Sequence, residues 1–349
     1  MNDYVIVSKP CGMTMHHNPN AHSRWGMSKS PVLQTAIRRQ LSRKPYLVHR
    51  LDHRTSGACV MGFTSDAALK LHGRLGGDGA TKLYVALVRG DLRGRFRRAA
   101  STTAPACDRI DDDEGRENCA DGNGRIIESQ GKVPDAMALT GGGEGRRTDG
   151  SSNDDDEYGG KITVNLPIKV KVGGIEIEKD ALTDFYFLSS MSADDDDDDD
   201  VDDDAPEDGT MSTTARYVNK SLTLLLCHPR TGRTHQIRRH QRKALMSPVI
   251  GDVEHGDSCV NRHWRKSISD RLGLHCWYLR LPPEASSSSP PDDGVIECLA
   301  PLTLDFAGPL KHEKLGPLWA EACRVEPRLG MEPYDERGGT FGRNYRKRR

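Results

Sequence analysis

The chain has 349 residues, enough for one large domain or two ordinary ones, and a formal charge of −1 at neutral pH. Hydrophobic residues make up only 35% of it, which indicates that part of the length lies outside a packed core. No stretch approaches the roughly 18 apolar residues of a membrane-spanning helix, and the first residues, MNDYVIVSKP, lack the pattern of a signal peptide. We therefore expect no membrane association and a cytoplasmic or nuclear location.

The average charge conceals two acidic segments. Residues 100–160 hold 15 acidic and 6 basic residues, and residues 189–215 hold 12 acidic and no basic ones. Without these segments, whose net charges are −9 and −12, the remaining 261 residues carry +20, a charge typical of nucleic-acid binders. The sequence predicts disordered insertions at about 91–160 and 189–215 in a domain over 1–311, followed by a C-terminal helix and basic tail over 312–349.

The nine cysteines are odd in number, scattered and without a C-x-x-C pair, which indicates a reducing compartment. Nothing in the sequence indicates a protein partner, so we expect a monomer.

The N-terminal elements alternate between strands and helices. YVIVS (4–8) predicts a strand, and Ser30 with Pro31 predicts the start of an amphipathic helix that runs to Leu41. ACVMGF (58–63) predicts a buried strand, Ser65 and Asp66 the cap of a second helix, and KLYVALVRG (82–90) another strand.

After the first insertion, strands predominate. Strand candidates are ITVNLPIKVKV, LTDFYFL (182–188), SLTLLLC (221–227) and LHCWYLRL (274–281), and helix candidates are 234–244 and 312–325. Because several strands follow one another without a helix between each pair, the expected fold class is α+β: a mixed, mostly antiparallel β-sheet flanked by helices.

One motif places a single acid among bases. In VHRLDHRTSG (48–57), Asp52 lies within three residues of His49, Arg50, His53 and Arg54. Neighbouring cations favour the ionised form of a carboxylate, which suits a nucleophile, a base or an electrostatic stabiliser. A surface salt bridge explains this stretch equally well.

A second motif, HPRTGRTHQIRRHQRKALMSPVIGD (228–252), places cations at the start of a predicted helix. These are Arg233, His235, Arg238, Arg239 and Arg242. Cations there oppose the helix dipole, so we expect negative groups opposite them, either phosphates or Asp52. A zinc site is the alternative, but the spacings fit no common ligand pattern and we expect no metal; its candidate ligands are His228, His235, His240, His255, Cys259 and His263.

The motifs together resemble the RluA-type pseudouridine synthases. HRLDHRTSG (49–57), KLYVALVRG (82–90), GRTHQIRRH (232–240), PVIGD (248–252) and LHCW (274–277) occur in the order and approximate spacing of that family, and SKPCGMTMH (8–16) is similar to its opening motif. The block GDVEHGDSCVNRHWR (251–265) is most similar to the TruC-like subgroup, which acts on tRNA.

The resemblance implies a role for each matching residue. Asp52 matches the catalytic aspartate, which attacks the nucleotide or removes a ribose proton, and Arg238 matches the arginine that pairs with it. Tyr84 matches the tyrosine that packs against the target uracil and whose hydroxyl can assist proton movement, and Arg50 matches the residue that fills the gap left by the flipped-out nucleotide. The further substrate-binding candidates are His49, Thr55, Arg233, His235 and Gln236.

The resemblance also implies an RNA substrate and no cofactor. tRNA is favoured, with ribosomal RNA as the alternative. A catalytically silent RNA-binding protein of the same fold remains a further alternative. A glycoside hydrolase would need a second motif carboxylate, and a protein kinase would need H-R-D and D-F-G, so both are excluded.

Overall fold

The structure is a computed structural model, and it describes residues 3–16, 30–101, 125–130, 160–192, 221–267, 271–284, 294–312 and 314–331. Across these ranges, no helix has the length and apolar character needed to cross a membrane.

The described residues form twelve β-strands. In chain order these are β1 (Tyr4–Lys9), β2 (Tyr46–Leu47), β3 (Ser56–Gly62), β4 (Thr81–Arg89), β5 (Arg125–Gln130), β6 (Gly160–Asn165), β7 (Ile168–Val172), β8 (Ile175–Lys179), β9 (Leu182–Met191), β10 (Leu222–Pro229), β11 (Leu274–Leu281) and β12 (Ile296–Leu299).

Ten of these strands form one sheet in the order β1-β3-β11-β4-β10-β9-β6-β5, with β2 beside β3 and β12 beside β11. β7 and β8 form a separate antiparallel hairpin. β11 pairs in parallel with β3, and the other pairs are antiparallel. The prediction of a mixed, mostly antiparallel sheet is confirmed.

The helices cover both faces of the sheet. They are α1 (Leu33–Leu41), α2 (Ser65–Gly76), α3 (Arg93–Ser101), α4 (Gln236–Lys243), α5 (Ser258–Ser267), α6 (Leu304–Leu310) and α7 (Gly316–Val325), and a 3-10 turn follows at Pro327–Gly330.

The central strands are apolar on both sides because both faces are covered. In β4, Leu83, Val85 and Leu87 pack with α5, α6 and α7 on one face. Ala86 and Val88 point to the other face, where they pack with α3 and α4. A third cluster on that second face joins β1 and β3 to α1 and α2. Burial on both faces explains why these strands read as almost continuous apolar runs.

Tyr84 packs against both clusters of the second face. It therefore marks the seam between an N-terminal half, built on α1 and α2, and a second half, built on α3 and α4. The loop before β3 reaches this seam from the first half, and α4 reaches it from the second.

Several predicted boundaries change in the structure. α1 begins at Leu33 with Val32 as its N-cap, so Ser30 and Pro31 lie before the helix and do not cap it. α2 is capped by Thr64, whose hydroxyl accepts a hydrogen bond from the Ala67 N–H, and not by Ser65 or Asp66. The predicted C-terminal helix begins at Gly316, and α6 precedes it.

The first predicted insertion contains two ordered elements. α3 packs Phe96 and Ala99 against the sheet, and β5 pairs with β6 at the sheet edge. In the second insertion, β9 extends to Met191. Residues 102–124, 131–159 and 193–215 of the predicted insertions, and the basic tail after Met331, lie outside the described residues.

Candidate active site

The loop that carries Asp52 is held by a buried lysine. Lys9 ends β1 and is completely buried, and its Nζ donates to the carbonyl oxygens of Pro10 at 2.9 Å, Met13 at 2.8 Å and His53 at 3.0 Å. Burial lowers the pKa of Lys9 to about 8, an effect that the charge of Asp52 partly offsets. The Thr55 N–H closes the loop on the Asp52 carbonyl oxygen at 3.1 Å. These bonds fix the backbone on both sides of Asp52.

Two further contacts anchor the loop to the sheet. The Val60 N–H donates to His49 Nε2 at 3.2 Å, and burial lowers the pKa of His49 to about 3, so this imidazole is a neutral acceptor. Gly57 has φ of 110° and lies against the backbone of Cys276, where a side chain would collide with the Cys276 carbonyl. Only glycine fits this crossing of β3 and β11 without strain.

Arg238 and Asp52 are in contact, as the sequence predicts. Arg238 Nη1 donates to Asp52 Oδ2 at 3.1 Å, although 186 positions separate the two residues. The Asp52 side chain is 28% exposed and that of Arg238 is 7% exposed. The carboxylate is thus open to a substrate while its partner is buried behind it.

Asp252 holds the other edge of the same guanidinium group. Its carboxylate accepts from Arg238 Nε at 2.8 Å and from Nη2 at 2.7 Å, and its side chain is fully buried. Burial opposes the ionisation of both groups, but their mutual hydrogen bonds lower the pKa of Asp252 and raise that of Arg238 above its usual value. With Nε and Nη2 engaged, Arg238 can present only Nη1 to Asp52.

Tyr84 lies beside this pair on β4. It lies directly opposite Cys276 of β11, and burial, with smaller effects of Cys276 and of the Asp52 charge, raises its pKa well above the usual value. The phenol therefore stays protonated at neutral pH. It can donate a proton or offer its ring face, but it cannot serve as a base.

A group of two imidazoles and a carboxylate lies next to Asp52. His235, directly before α4, has a left-handed backbone with φ of 53°. Its Nδ1 lies 2.9 Å from Glu254 Oε2 and 3.1 Å from His255 Nε2, and its Nε2 lies 3.8 Å from Asp52 Oδ1. Hydrogen bonding to His235 lowers the pKa of Glu254. In the structure, Glu254 Oε2 lies close to both His235 and His255, two of the candidate zinc ligands of the sequence analysis.

The remaining candidates differ in their access to substrate. Arg50 is exposed, whereas Thr55 is buried with only 2% exposure. Arg233 Nε donates to the Asp180 carbonyl oxygen at 2.9 Å.

Gln236 is occupied within the protein. Its Oε1 accepts from the Thr231 hydroxyl and the Arg233 N–H, and its Nε2 donates to the Leu182 carbonyl oxygen and the Thr183 hydroxyl. These four bonds saturate an amide side chain. Gln236 therefore fixes the loop before α4, and no hydrogen-bonding position remains for the predicted substrate contact.

No role is predicted from the sequence for Lys9, Asp252 or Glu254. The sequence signal for Asp252 is its place in PVIGD (248–252) and in residues 251–265, the two blocks similar to the family. The backbone N–H groups of Glu254 and His255 both donate to Asp252 Oδ1 at 3.0 Å, so this aspartate also shapes the turn after it.

Comparison with known proteins matches the chain to one family, and the matched range includes the residues of this site. The family model for RNA pseudouridylate synthases matches residues 3–243, a range that includes Asp52, Tyr84 and Arg238. The chain belongs to the RNA pseudouridylate synthase family, and it is an enzyme of the isomerase class that forms pseudouridine in RNA.

Among curated proteins, the chain is 25% identical over 281 residues to tRNA pseudouridine synthase C of Vibrio vulnificus, covering 80% of this chain and 81% of the relative. It is also 25% identical over 279 residues to tRNA pseudouridine synthase C of Salmonella typhi, covering 79% and 76%.

A solved human structure, RNA pseudouridylate synthase domain containing 1, aligns with a TM-score of 0.45 and 19% identity over 96% of this chain and 94% of that one.

Proposed function

We propose that the protein isomerises uridine to pseudouridine in tRNA, with Asp52 as the catalytic carboxylate and without a cofactor. The observation that carries this proposal is the contact between Asp52 and Arg238, at 3.1 Å, at the seam between the two halves of the sheet. A partly exposed carboxylate backed by a buried guanidinium is a group held in a fixed orientation and open to a ligand.

The reaction needs no redox carrier because its atoms balance within the nucleotide. The N1–C1′ bond breaks, the uracil turns, and a C5–C1′ bond forms, while C5 loses one proton and N1 gains one. Asp52 acts on the nucleotide, either as a nucleophile or as the base that removes a ribose proton. Arg238 holds the carboxylate in position in both cases.

The neighbouring side chains suit a flipped-out uridine. Tyr84 offers a ring face beside Asp52, and stacking on a flat ring leaves a uracil able to turn in its own plane. Arg50 is exposed and lies two residues before Asp52, so it can replace the extruded nucleotide in the RNA helix. His49 and Thr55 shape the loop, since one bonds to β3 and the other closes on Asp52.

The choice of tRNA is supported by two lines of similarity. The curated relatives described above are named as tRNA enzymes, and residues 251–265 are similar to the same subgroup. The charge of +20 outside the acidic segments supports an RNA partner in general. We further propose that the protein acts as a monomer. We also propose that it lies in the cytoplasm or nucleus, because its cysteine usage is that of a reducing compartment.

Pseudouridine mapping tests the substrate. Purified protein is incubated separately with unmodified tRNA and unmodified ribosomal RNA, and new pseudouridines are located by chemical labelling and sequencing. We expect a specific site in tRNA that appears only with active protein. A site in ribosomal RNA alone would refute the choice of tRNA, and no pseudouridine in either pool would contradict the assignment of these two substrates.

A further inference from the structure

The side-chain ligand atoms of His235, Glu254 and His255 lie within 4.8 Å of one another beside Asp52. We propose that these three residues form a divalent-cation site, with Zn²⁺ as its best-suited ion, and that the bound ion inhibits the enzyme by engaging Asp52 through His235. The inhibitory part rests on the proposed role of Asp52, whereas the binding part does not.

The geometry of the three donor atoms fits a tetrahedral ion. His235 Nδ1, Glu254 Oε2 and His255 Nε2 are separated by 2.9, 3.1 and 3.9 Å. Zinc bonds to imidazole nitrogen and carboxylate oxygen are about 2.0–2.2 Å long, so two ligands at a tetrahedral angle lie about 3.4 Å apart. The observed separations bracket this value, and a set of two histidines and one glutamate is a known catalytic zinc ligand set.

The charges of the surroundings favour a divalent cation. Three carboxylates, those of Asp52, Asp252 and Glu254, surround the single guanidinium of Arg238 in one cluster. With both imidazoles neutral, these four side chains carry a charge of about −2, which a divalent ion would neutralise.

The donor atoms are also held in place from behind. Asp252 accepts hydrogen bonds from the backbone N–H groups of Glu254 and His255, and its carbonyl oxygen accepts from Gly256 N–H and Asn261 Nδ2. His235 keeps a left-handed backbone that few non-glycine residues adopt. Such fixed positions lower the cost of bringing the ligands together on an ion.

An ion on His235 Nδ1 would change what Asp52 faces. The imidazole would then carry its hydrogen on Nε2, which lies 3.8 Å from Asp52 Oδ1. Metal-binding histidines commonly donate this second N–H to a carboxylate. When these two atoms close from 3.8 Å to a hydrogen-bonding distance of about 2.9 Å, Asp52 accepts a hydrogen bond from His235 in place of acting on the nucleotide, and turnover falls while the ion is bound.

Direct binding tests the first part of the proposal. Wild type, His255→Ala and Glu254→Gln are equilibrated with Zn²⁺ and dialysed, and bound zinc is measured by atomic emission. His312→Ala is the matched control, because His312 is exposed and outside the cluster. We expect wild type and His312→Ala to retain one equivalent more than the two site variants. Equal zinc in all four proteins would place any bound zinc elsewhere and overturn the proposal.

Cobalt provides a second readout that depends on ligand type. Wild type titrated with Co²⁺ should develop the visible bands of a low-coordinate nitrogen and oxygen site without thiolate charge-transfer absorption, and His255→Ala should lack these bands. Thiolate absorption that is unchanged in His255→Ala would assign the ion to cysteines and refute the site.

The inhibition is tested with pseudouridine formation as the readout. Zn²⁺ should slow wild type and His312→Ala, a chelator should restore them, and His255→Ala should need at least tenfold more Zn²⁺ for the same effect. Equal inhibition of His255→Ala would refute the inhibitory role even where the dialysis result holds. If wild type forms no pseudouridine without zinc, the proposed substrate fails, and the dialysis result still decides whether the site exists.

Discussion

Replacing Asp252 by asparagine tests whether Asp252 holds Arg238 in position. Asp252 is fully buried and binds Nε and Nη2 of Arg238 at 2.8 and 2.7 Å. Removing one partner of a buried ion pair costs about 3–5 kcal/mol, because the other charge stays buried without compensation. Asparagine keeps one acceptor oxygen, so we expect a loss of about 3 kcal/mol, which corresponds to a fall in melting temperature of about 6–12 °C.

The same substitution should slow catalysis. Without Asp252 the guanidinium is no longer locked at two nitrogens, and the Nη1 contact with Asp52 loses its fixed direction. Misplacing a catalytic group by about 1 Å can cost about 100-fold in rate, so we expect a loss of that order in single-turnover pseudouridine formation. The measurement is made well below the melting temperature of the variant.

Asp305→Asn is the control for loss of an arginine's carboxylate partner. Asp305, whose side chain is 43% exposed, pairs with Arg271, another buried arginine, at 2.6 Å. This control should lose stability but keep its turnover rate. Unchanged turnover in Asp252→Asn, with or without lower stability, would refute the view that Asp252 positions Arg238 for Asp52.

Further predictions concern the loop, the tyrosine, the histidines and salt. Gly57→Ala should lower the melting temperature in a thermal scan, because a side chain there meets the Cys276 carbonyl; an unchanged value would contradict the close crossing. Tyr84→Phe should keep most of the turnover rate and Tyr84→Ala should lose it, because the role proposed for Tyr84 is to stack its ring on the uracil; equal losses would contradict a ring-based role. RNA affinity should fall steeply with added salt, and a flat response would argue against phosphate contacts. The free energy of unfolding, measured in urea, should be lower at pH 5 than at pH 7, because burial lowers the pKa of four histidines below the ordinary 6.5 and the unfolded chain therefore binds more protons below pH 6.5. Each of these histidines should lower the free energy of unfolding by about 2 kcal/mol at pH 5. Equal values at the two pH values would contradict their burial. The four are His49 and His275, with pKa values of about 3, and His228 and His240, with values of about 4.

The sequence predicts the sheet well because its strands carry a strong local signal. The apolar runs of β4, β10 and β11 indicate strands that are buried on both faces, and the structure places all three at the centre of the sheet. β5 is not predicted because its two isoleucines lie in a segment rich in acids and glycine, and α3 is not predicted because its few apolar residues lie among four arginines. The predicted first residues of α1 and α2 differ from the observed ones because Ser30, Ser65 and Thr64 are all acceptable N-caps by residue type. Only the backbone conformation selects among them.

The contact between Asp52 and Arg238 could be predicted only through the resemblance of the motifs. No local pattern brings together two residues that are 186 positions apart. The roles of Asp252, Glu254 and Gln236 depend on which hydrogen bonds form after folding, and this cannot be read from residue types. Gln236 illustrates the difference: it matched a functional motif, yet the structure uses its whole amide for internal bonds.

The most direct test of the central claim is the activity of Asp52→Asn on tRNA. Asparagine removes the charge of a side chain that is 28% exposed and leaves its size unchanged, so the fold and the RNA affinity should persist. Asp66→Asn, at an aspartate 75% exposed on α2, is the control for loss of one carboxylate. We expect wild-type pseudouridine formation in Asp66→Asn, none in Asp52→Asn, and similar tRNA affinity in all three proteins. Undiminished pseudouridine formation by Asp52→Asn would contradict the account.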